Sequence, residues 1–465
     1  MSSRVLAVLI GGCLVAVSHR GWADDQRYGD LPLGGRAVAF GGAFTALAND
    51  PSGLYYNPAG IVDVRRNAIQ VSTNFYGIEV QGGIADAFGA VVDVERVASS
   101  LDLLPATAAG LEVWQQDPET ELPTTVFGVG TFIPSSSSEE RSVVDTLEEA
   151  ERFPGCARLA YERSLSDRRF LAGGGIGHRL NRRWSVGFSA FVQYRSLRDR
   201  EEILCSDEEG GLDGPAFSTA DTRVSVDVFS LRMSFGALAR FEDGWRFGAM
   251  LVAPSVPLRG TGGLRVRRTR ALPATGRTEF VLSDLENIGA ETQDGLSLRI
   301  GGSKSWDDPE ATVSFDIAFY APTFYDLVQL PTGQERLEQL VTLLTRVRRE
   351  PVLDFALGGE IRPETNWVLG AGFFTRFSSA PGIPDREGFE EDRLARADEF
   401  GLTLLGGWFT THNITRLGLA LTYRAGADVV PRYAGLAAVG GRNRYVRADV
   451  EAAALWVFVS NTTRY

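Results

Sequence analysis

Segments of strict two-residue alternation recur along the chain and constrain its fold more than any other feature. The clearest lie in residues 184–195, 311–320 and 413–424. In 311–320 an apolar set alternates with a polar one: Val313, Phe315, Ile317 and Phe319 against Thr312, Ser314 and Asp316. Successive side chains of a β-strand point to opposite faces, so this pattern predicts strands with one apolar and one polar face. In 223–241 the apolar set changes register once, which predicts a β-bulge at 228–229.

The connections between these strands alternate between short turns and long loops. Short turns lie near 117–118, 181–183, 242–244, 307–310, 363–365 and 412–413. Short turns on one rim and long loops on the other are typical of bacterial outer-membrane barrels, whose short turns face the periplasm. We therefore predict an all-β fold, a transmembrane antiparallel β-barrel of about 14 strands. They are expected near 67–80, 104–115, 124–134, 168–180, 184–198, 223–241, 245–258, 294–305, 311–322, 351–362, 366–378, 398–410, 413–424 and 444–460.

Tryptophan positions support the barrel independently, because they were not used to place the turns. Six of them lie beside a predicted short turn: Trp114, Trp184, Trp245, Trp306, Trp367 and Trp408. Trp456 lies in the last predicted strand, towards its end. Tryptophan favours the interface between membrane and water, so these residues predict an aromatic girdle at the periplasmic rim.

The N-terminus has the features of a secretory signal peptide spanning residues 1–23. Arg4 is followed by an apolar run over 5–17 and by a small-residue cleavage site at 21–23. Cys13 suggests lipoprotein processing as an alternative, but the apolar run continues past it and the later cleavage site fits better. We therefore expect the protein in the bacterial outer membrane.

The net charge and the few histidines argue against two classes of function, nucleic-acid binding and enzymatic catalysis. The net charge of −12 argues against a nucleic-acid partner. Beyond the signal peptide only His178 and His412 are available as catalytic histidines, and neither lies in a recognisable catalytic or metal-binding motif. We therefore expect no enzyme activity, no metal and no cofactor. Cys156 and Cys205 are both predicted in long loops outside the cell, where a disulfide between them is possible.

Residues 24–66 precede the first predicted strand. The segment is rich in glycine, and 37–47 is small and apolar. This composition predicts a compact segment that fills the lumen of the barrel of residues 67–465, a periplasmic tail being the alternative.

The sequence GGRAVAFGGAFTALANDPSGLYYNPAG, residues 34–60, resembles the N-terminal signature of the FadL-type outer-membrane transporters of long-chain fatty acids and other hydrophobic compounds. Its Asn57, Pro58 and Ala59 match the Asn-Pro-Ala element. The resemblance implies that residues 24–66 are a hatch inside the barrel, that long extracellular loops capture the substrate, and that the substrate leaves sideways into the membrane through a gap at the third strand. A related signature occurs in barrels that act as shuttles in a bacterial secretion system.

Lateral release has a physical reason, because each buried CH₂ of an acyl chain gains about 0.8 kcal/mol in the bilayer. Gly128 and Gly130 of the third predicted strand are the candidates for a kink in the wall. Glycines that face a crowded lumen are the alternative reading of this pair.

Two further sets of residues are candidates for substrate contact. One set has helical spacing in the loop 334–350 and would form an apolar surface at the outer mouth, or pack on neighbouring loops: Leu337, Leu340, Val341, Leu344 and Val347. The other set is charged and predicted to face the lumen, where one or two arginines could bind a carboxylate: Arg195, Asp227, Arg232, Arg240, Arg246, Arg299, Asp316, Asp354, Glu360, Arg376, Arg424, Asp449 and Glu451.

The sequence thus favours an uptake channel for hydrophobic molecules such as long-chain fatty acids, acting by loop capture, lumenal binding and lateral release. Its expected partners are a hydrophobic small molecule, outer-membrane lipid and lipopolysaccharide, with the barrel as a monomer. The alternative is a FadL-like barrel that serves as a secretion-system shuttle or binds another protein.

Overall fold

The structure, a computed structural model, describes residues 31–82, 96–101, 106–146, 158–207, 216–272, 277–331, 345–383, 395–431 and 445–465. Its helices are α1 (Gly35–Ala39), α2 (Gly53–Tyr56) and a 3₁₀-helix (Pro58–Asp63). The strands are β1 (Ala68–Gly82), β2 (Arg96–Leu101), β3 (Thr107–Gln116), β4 (Pro123–Thr146), β5 (Arg158–Arg179), β6 (Trp184–Asp207), β7 (Ala216–Arg240), β8 (Trp245–Val252), β9 (Val256–Leu272), β10 (Arg277–Gly289), β11 (Ser297–Asp307), β12 (Glu310–Tyr320), β13 (Thr323–Asp326), β14 (Arg346–Arg349), β15 (Val352–Glu364), β16 (Trp367–Arg376), β17 (Arg396–Phe409), β18 (Asn413–Pro431) and β19 (Tyr445–Arg464).

Fourteen of these strands form one closed antiparallel wall, as predicted. The wall runs through β1, β3–β8, β11, β12 and β15–β19, and it closes where β1 pairs with β19 from Ala68↔Arg464 onward. Closure leaves no unpaired strand edge inside a membrane, where unsatisfied backbone groups are costly. No helix within the described ranges is long and apolar enough to cross a membrane.

Alternation sorts the side chains of the wall between lumen and surface, as the sequence predicts. In β12, Phe315 and Ile317 are exposed on the outer face, whereas Ser314 and Asp316 are buried on the inner face. The six tryptophans beside the short turns are all exposed, by 38% to 64%. An outer face of exposed apolar residues, edged by tryptophans, is suited to a membrane.

Trp456 does not belong to this girdle, so the prediction for it is wrong. It lies eight residues before the end of β19, and its neighbours on the same face, Ala454 and Phe458, are buried. A strand end was predicted near 460, but the pairing with β1 continues to Arg464. The longer strand moves Trp456 away from the rim.

The wall continues well beyond a membrane on the rim that carries the long connections, here called the long-loop rim. β5, β6 and β7 have 22, 24 and 25 residues, whereas a membrane crossing needs about 9–11. Their outer portions form a sheet with β4, β9 and β10. The hairpin of β9 and β10 departs from the prediction, which placed no strand between residues 258 and 294.

The apolar set of β7 changes face where the strand leaves the membrane. Val226 and Val228 are buried on the inner face, whereas Phe229 and Phe235 are exposed on the outer face. The pairing of β7 with β6 is uninterrupted, and only its pairing with β9 shifts, between Phe229 and Ser230. The predicted bulge is therefore wrong for the β6 side. The apolar residues change face because the strand passes from the membrane to the outer extension, while its backbone stays regular.

Candidate functional site

The hatch, described from residue 31, lies inside the wall and is packed against most of its circumference. Phe40, Phe44 and Leu54 are fully buried. The hatch backbone lies so close to the wall that a Cβ at Gly187 would overlap Pro58, and one at Gly372 would overlap Gly41. Glycine at such wall positions is what allows the backbone of a filling segment to approach a strand.

The Asn-Pro-Ala element joins two parts of the hatch to β7. Asn57 caps the 3₁₀-helix, since its Oδ1 accepts a hydrogen bond from Ala59 N at 3.1 Å and Pro58 occupies the first helical position. Its Nδ2 donates to Thr45 O at 2.8 Å and to Ala237 O at 3.1 Å. The fully buried amide thus has both oxygen and nitrogen satisfied, as burial requires.

Asp63, at the end of the 3₁₀-helix, is bound by arginines of three strands. Arg179 Nη2 of β5 lies 2.8 Å from Asp63 Oδ1, Arg240 Nε of β7 lies 2.9 Å from Oδ2, and Arg246 Nη1 of β8 lies 3.2 Å from Oδ2. Burial alone would raise the pKa of Asp63, but the three guanidinium groups outweigh it and lower the pKa below its ordinary value. This contact fixes the end of the hatch next to the short turns, here called its lower end, to the wall.

The upstream part of the hatch is held by two carboxylates of the wall. Asp316 Oδ2 accepts hydrogen bonds from Phe44 N at 3.1 Å, Thr45 N at 3.0 Å and Thr45 Oγ1 at 2.6 Å. Glu360 Oε1 accepts from Arg36 Nε at 2.9 Å. Together with Asp63, these contacts anchor the hatch at both ends.

Two adjoining cavities lie between the hatch and the wall. Both are narrow, with cavity volumes of about 70 Å³ and about 30 Å³. They share five lining residues: Tyr55, Pro134, Arg299, Ala318 and Tyr320. The first cavity extends towards Asp316, Phe374 and Arg376, and the second towards Arg169, Met250 and Asp294. Aromatic and aliphatic surface therefore stands next to guanidinium groups in both cavities.

The arginines of the cavities stack on aromatic rings. The guanidinium carbon of Arg232 lies 5.1 Å from the ring centroid of Tyr55, and that of Arg299 lies 5.4 Å from Tyr56. Arg376 lies 4.8 Å from Phe374. Such stacking leaves the edge of a guanidinium free to donate hydrogen bonds while its face covers an apolar ring. Within the described residues, Arg376 Nη1 is buried without a hydrogen-bond partner.

Gly128 and Gly130 do not form a kink, so that prediction is wrong. The pairing of β4 with both β3 and β5 continues through them. A Cβ on Gly128 would overlap Leu54 and Leu111, which agrees with the alternative of glycines facing a crowded lumen. The pairing of β4 with β5 is interrupted further along, between Phe132 and Ser135, where Pro134 lines both cavities.

The other predicted sites have mixed outcomes. Cys205 lies within β6 rather than in a loop, is fully buried and is disulfide-bonded. Cys156 lies outside the described residues, so the pairing of these two cysteines stays a prediction. Four members of the apolar set in the β12–β15 connection also lie outside the described residues: Leu337, Leu340, Val341 and Leu344. The fifth, Val347, is buried in β14.

Three charged residues predicted to face the lumen face outward instead. Asp227 pairs with Arg198 at 2.6 Å on the outer face of β7, and Asp449 pairs with Arg447 at 2.9 Å. Glu451 accepts a hydrogen bond from the outward Tyr423. In β19 the inner set consists of even-numbered residues such as Ala452 and Ala454. The prediction assumed that charged residues avoid the outer face along the whole of a strand. They need to avoid it only within the membrane, and these strands have left the membrane at the three residues.

Three residues of the site were missed from sequence. Pro134 carried a signal, because proline at the end of a predicted strand marks an interrupted ladder. Asp63 and Asp294 carried none, since each of their arginine partners is at least 55 residues away in sequence.

Comparison with known proteins identifies the fold. No protein-family model and no curated protein sequence matches the chain. Among solved structures, a Pseudomonas aeruginosa FadL homologue covers 96% of this chain and 100% of its own, at a TM-score of 0.54 and 14% identity. The P. putida toluene transporter TodX covers 95% of this chain and 99% of its own, at 0.58 and 15%. The monoaromatic hydrocarbon channel CymD covers 93% and 98%, at 0.51 and 13%. This chain therefore has the fold of the FadL-type outer-membrane transporters.

Proposed function

We propose that the protein is an outer-membrane uptake channel for hydrophobic molecules that carry an anionic head group, long-chain fatty acids being the reference case. The observation that carries the proposal is the pair of adjoining cavities, in which rings and aliphatic side chains stand beside arginines. Cavity positions of this kind suit an amphiphile, because the apolar part gains from burial and the head can accept charge-assisted hydrogen bonds.

The charges of the second cavity support an anionic head in particular. Arg169, Arg232 and Arg299 line it together with one carboxylate, Asp294. Asp294 already accepts a hydrogen bond from Gln193 Nε2 at 2.9 Å and lies 3.5 Å from Arg169 Nη1. Positive charge is thus in excess there, and a bound carboxylate would balance it.

The exit route follows from the same cavities. A hydrophobic molecule loses free energy of burial if it is released into water, so release into the bilayer is the favourable path. The interruption of β4 at residues 133–134 is next to both cavities, and proline removes one backbone donor from the ladder. We therefore place lateral release at this interruption, not at Gly128 and Gly130.

The test measures binding of a fatty acid anion and of the corresponding fatty alcohol to the purified barrel. Replacing Arg299 with Met should weaken binding of the acid about tenfold, equivalent to about 1.4 kcal/mol for one lost charge-assisted contact. Binding of the alcohol should stay within about twofold of the wild type, because no charge is involved. The matched control is Arg267→Met, which removes an exposed arginine of β9 that lines neither cavity.

Two outcomes would contradict the proposal. If the purified barrel binds neither molecule, and mass spectrometry finds no hydrophobic molecule bound to it, the cavities are not a substrate site. If loss of the protein also leaves uptake of hydrophobic molecules unchanged, a barrel that shuttles or binds another protein becomes the better reading.

A further inference from the structure

Part of the connection between β12 and β15 packs inside the outer extension of the barrel. Its described parts, 321–331 and 345–351, contain the two-stranded sheet of β13 and β14, and we call them the strap. This sheet is separate from the wall, because neither strand is paired with a wall strand. The strap is thus a small unit of its own, placed within the outer extension of the barrel.

The strap is seated by an apolar cluster. Tyr325, Leu327, Val328 and Val347 are at most 5% exposed. They pack on inward residues of the extended strands: Leu197 of β6, Val224, Val226 and Val228 of β7, and Leu264 and Val266 of β9. This cluster explains why β7 carries its valines on the inner face above the membrane.

A few polar contacts add to the seat. Gln329 N donates to Gly289 O at 2.7 Å and Glu291 N donates to Leu327 O at 3.3 Å, on either side of the bridge Ala290↔Val328. Arg195 Nη1 donates to Tyr325 Oη at 3.2 Å. The strap is therefore joined to the extension by a short run of backbone pairing and not by a full ladder.

The lower end of the strap reaches the second cavity. Arg349, the last residue of β14, is 1% exposed, and its Nη1 lies 3.9 Å from Oδ1 of Asp294. Asp294 lines that cavity and also contacts Arg169. An anion bound among these arginines would compete with Asp294 for them, so occupancy of the cavity and seating of the strap involve the same charges.

We propose that the strap is a gate on the long-loop side, which must lift from its apolar seat to admit the substrate to the cavities. This inference rests on the proposed uptake function and specifies how entry is controlled. Lifting costs the buried contacts of the strap and its short backbone pairing. It leaves the pairing of the 14 wall strands intact, because the strap contributes no wall strand.

A reversible covalent lock tests the gate. Ala290 and Val328 form a pair flanked by hydrogen bonds of their neighbours, which is the non-hydrogen-bonded type with Cα atoms about 4.5 Å apart. That spacing is within the range of disulfides, about 4.4–6.8 Å. The Ala290→Cys/Val328→Cys variant, oxidised in the outer membrane, should take up a labelled fatty acid at least about tenfold more slowly than the wild type, and reduction should restore uptake.

The controls are the two single variants and the wild type, each oxidised and reduced, because Cys205 is itself disulfide-bonded. Mass analysis counts the locked fraction. Uptake at the wild-type rate by a fully locked barrel would overturn the gate while leaving the channel proposal standing. Absence of uptake by the wild type under the same conditions would instead overturn the channel, and the gate with it.

A second variant tests the gate without a crosslink, in case the cysteine pair does not close. Val328→Asp places a charge in the apolar seat, which is costly when unpaired. The gate predicts a displaced strap and faster loading of the cavities in detergent, at least about threefold. A folded variant that loads at the wild-type rate would overturn the inference.

Discussion

At the residue scale, Asp63 is the best-defined contact between the hatch and the wall. One carboxylate holds guanidinium groups of β5, β7 and β8 within 3.2 Å. Its neutralisation would leave three arginines close together in a largely buried place, where unpaired charge is costly. The lower end of the hatch should therefore depend on the charge of this one residue.

The pH dependence of hatch seating follows from the direction of the pKa shift. Because the pKa of Asp63 is lowered by folding from 3.8, its stabilisation is fully present above pH 3.8 and is lost as pH falls through the lower folded value. Amide exchange protection of residues 59–63, corrected for intrinsic rates, should hold from neutral pH to about pH 4 and then decline.

Asp63→Asn supplies the control for this prediction. The variant should lose roughly 3 kcal/mol of protection in the 3₁₀-helix at neutral pH, since a buried charge partner has gone. It should also show a smaller loss on acidification than the wild type. Equal acid sensitivity of the two proteins would assign the effect to other carboxylates, such as Glu360.

At the element scale, β4 is the strand at which we propose lateral release. Its pairing with β5 skips at residues 133–134, although Ile133 N still donates to Ala106 O at 2.9 Å. Pro134→Val restores a backbone donor and favours a regular strand. We expect slower uptake of a labelled fatty acid, at least about threefold, with unchanged binding affinity in the purified barrel. Unchanged uptake would place the exit elsewhere in the wall.

A matched substitution in the same strand separates this effect from general damage. Val129→Ile changes an outward residue that is 70% exposed and lies in the regular part of β4. It should leave both uptake and binding at wild-type levels. A loss equal to that of Pro134→Val would show that β4 tolerates no change.

The elements that were predicted correctly are those whose surroundings are uniform along their length. β12 lies between membrane and lumen throughout, so Phe315 and Asp316 show their faces in the sequence alone. β7 passes from the membrane to the outer extension. Its apolar residues face outward in the membrane part, from Phe229 on, and inward in the extension, up to Val228. The period of a strand is local, whereas the side on which it is covered depends on distant residues such as Val328 of the strap.

The same distinction separates the hatch motif from its site. Asn57 and Pro58 were found because the segment resembles a known signature. The hydrogen bonds of Asn57 to Thr45 and Ala237 could not be predicted in this way, because they depend on chain segments that closure of the barrel brings together. Sequence identified the segment, and the fold supplied its partners.

At the scale of the whole molecule, the wall and the hatch have separate sources of stability. The wall is held by backbone pairing that closes between β1 and β19 without any hatch residue. The hatch is held by side chains, through Asp63, Asp316 and Glu360, and by the burial of Phe40 and Phe44. The wall should therefore form without the hatch.

Deletion of residues 31–63 tests this division. The shortened protein should keep the heat-dependent gel mobility of a folded barrel, because every pairing of the 14 strands is retained. It should conduct ions in planar bilayers at least about tenfold better than the intact protein, since the segment that fills the lumen has gone. The Asp63→Asn variant is the matched control, because it weakens one contact and leaves the lumen filled. Failure of the deletion variant to reach the folded form would show that the hatch is required for assembly, and low conductance by a folded deletion variant would show that other residues close the lumen.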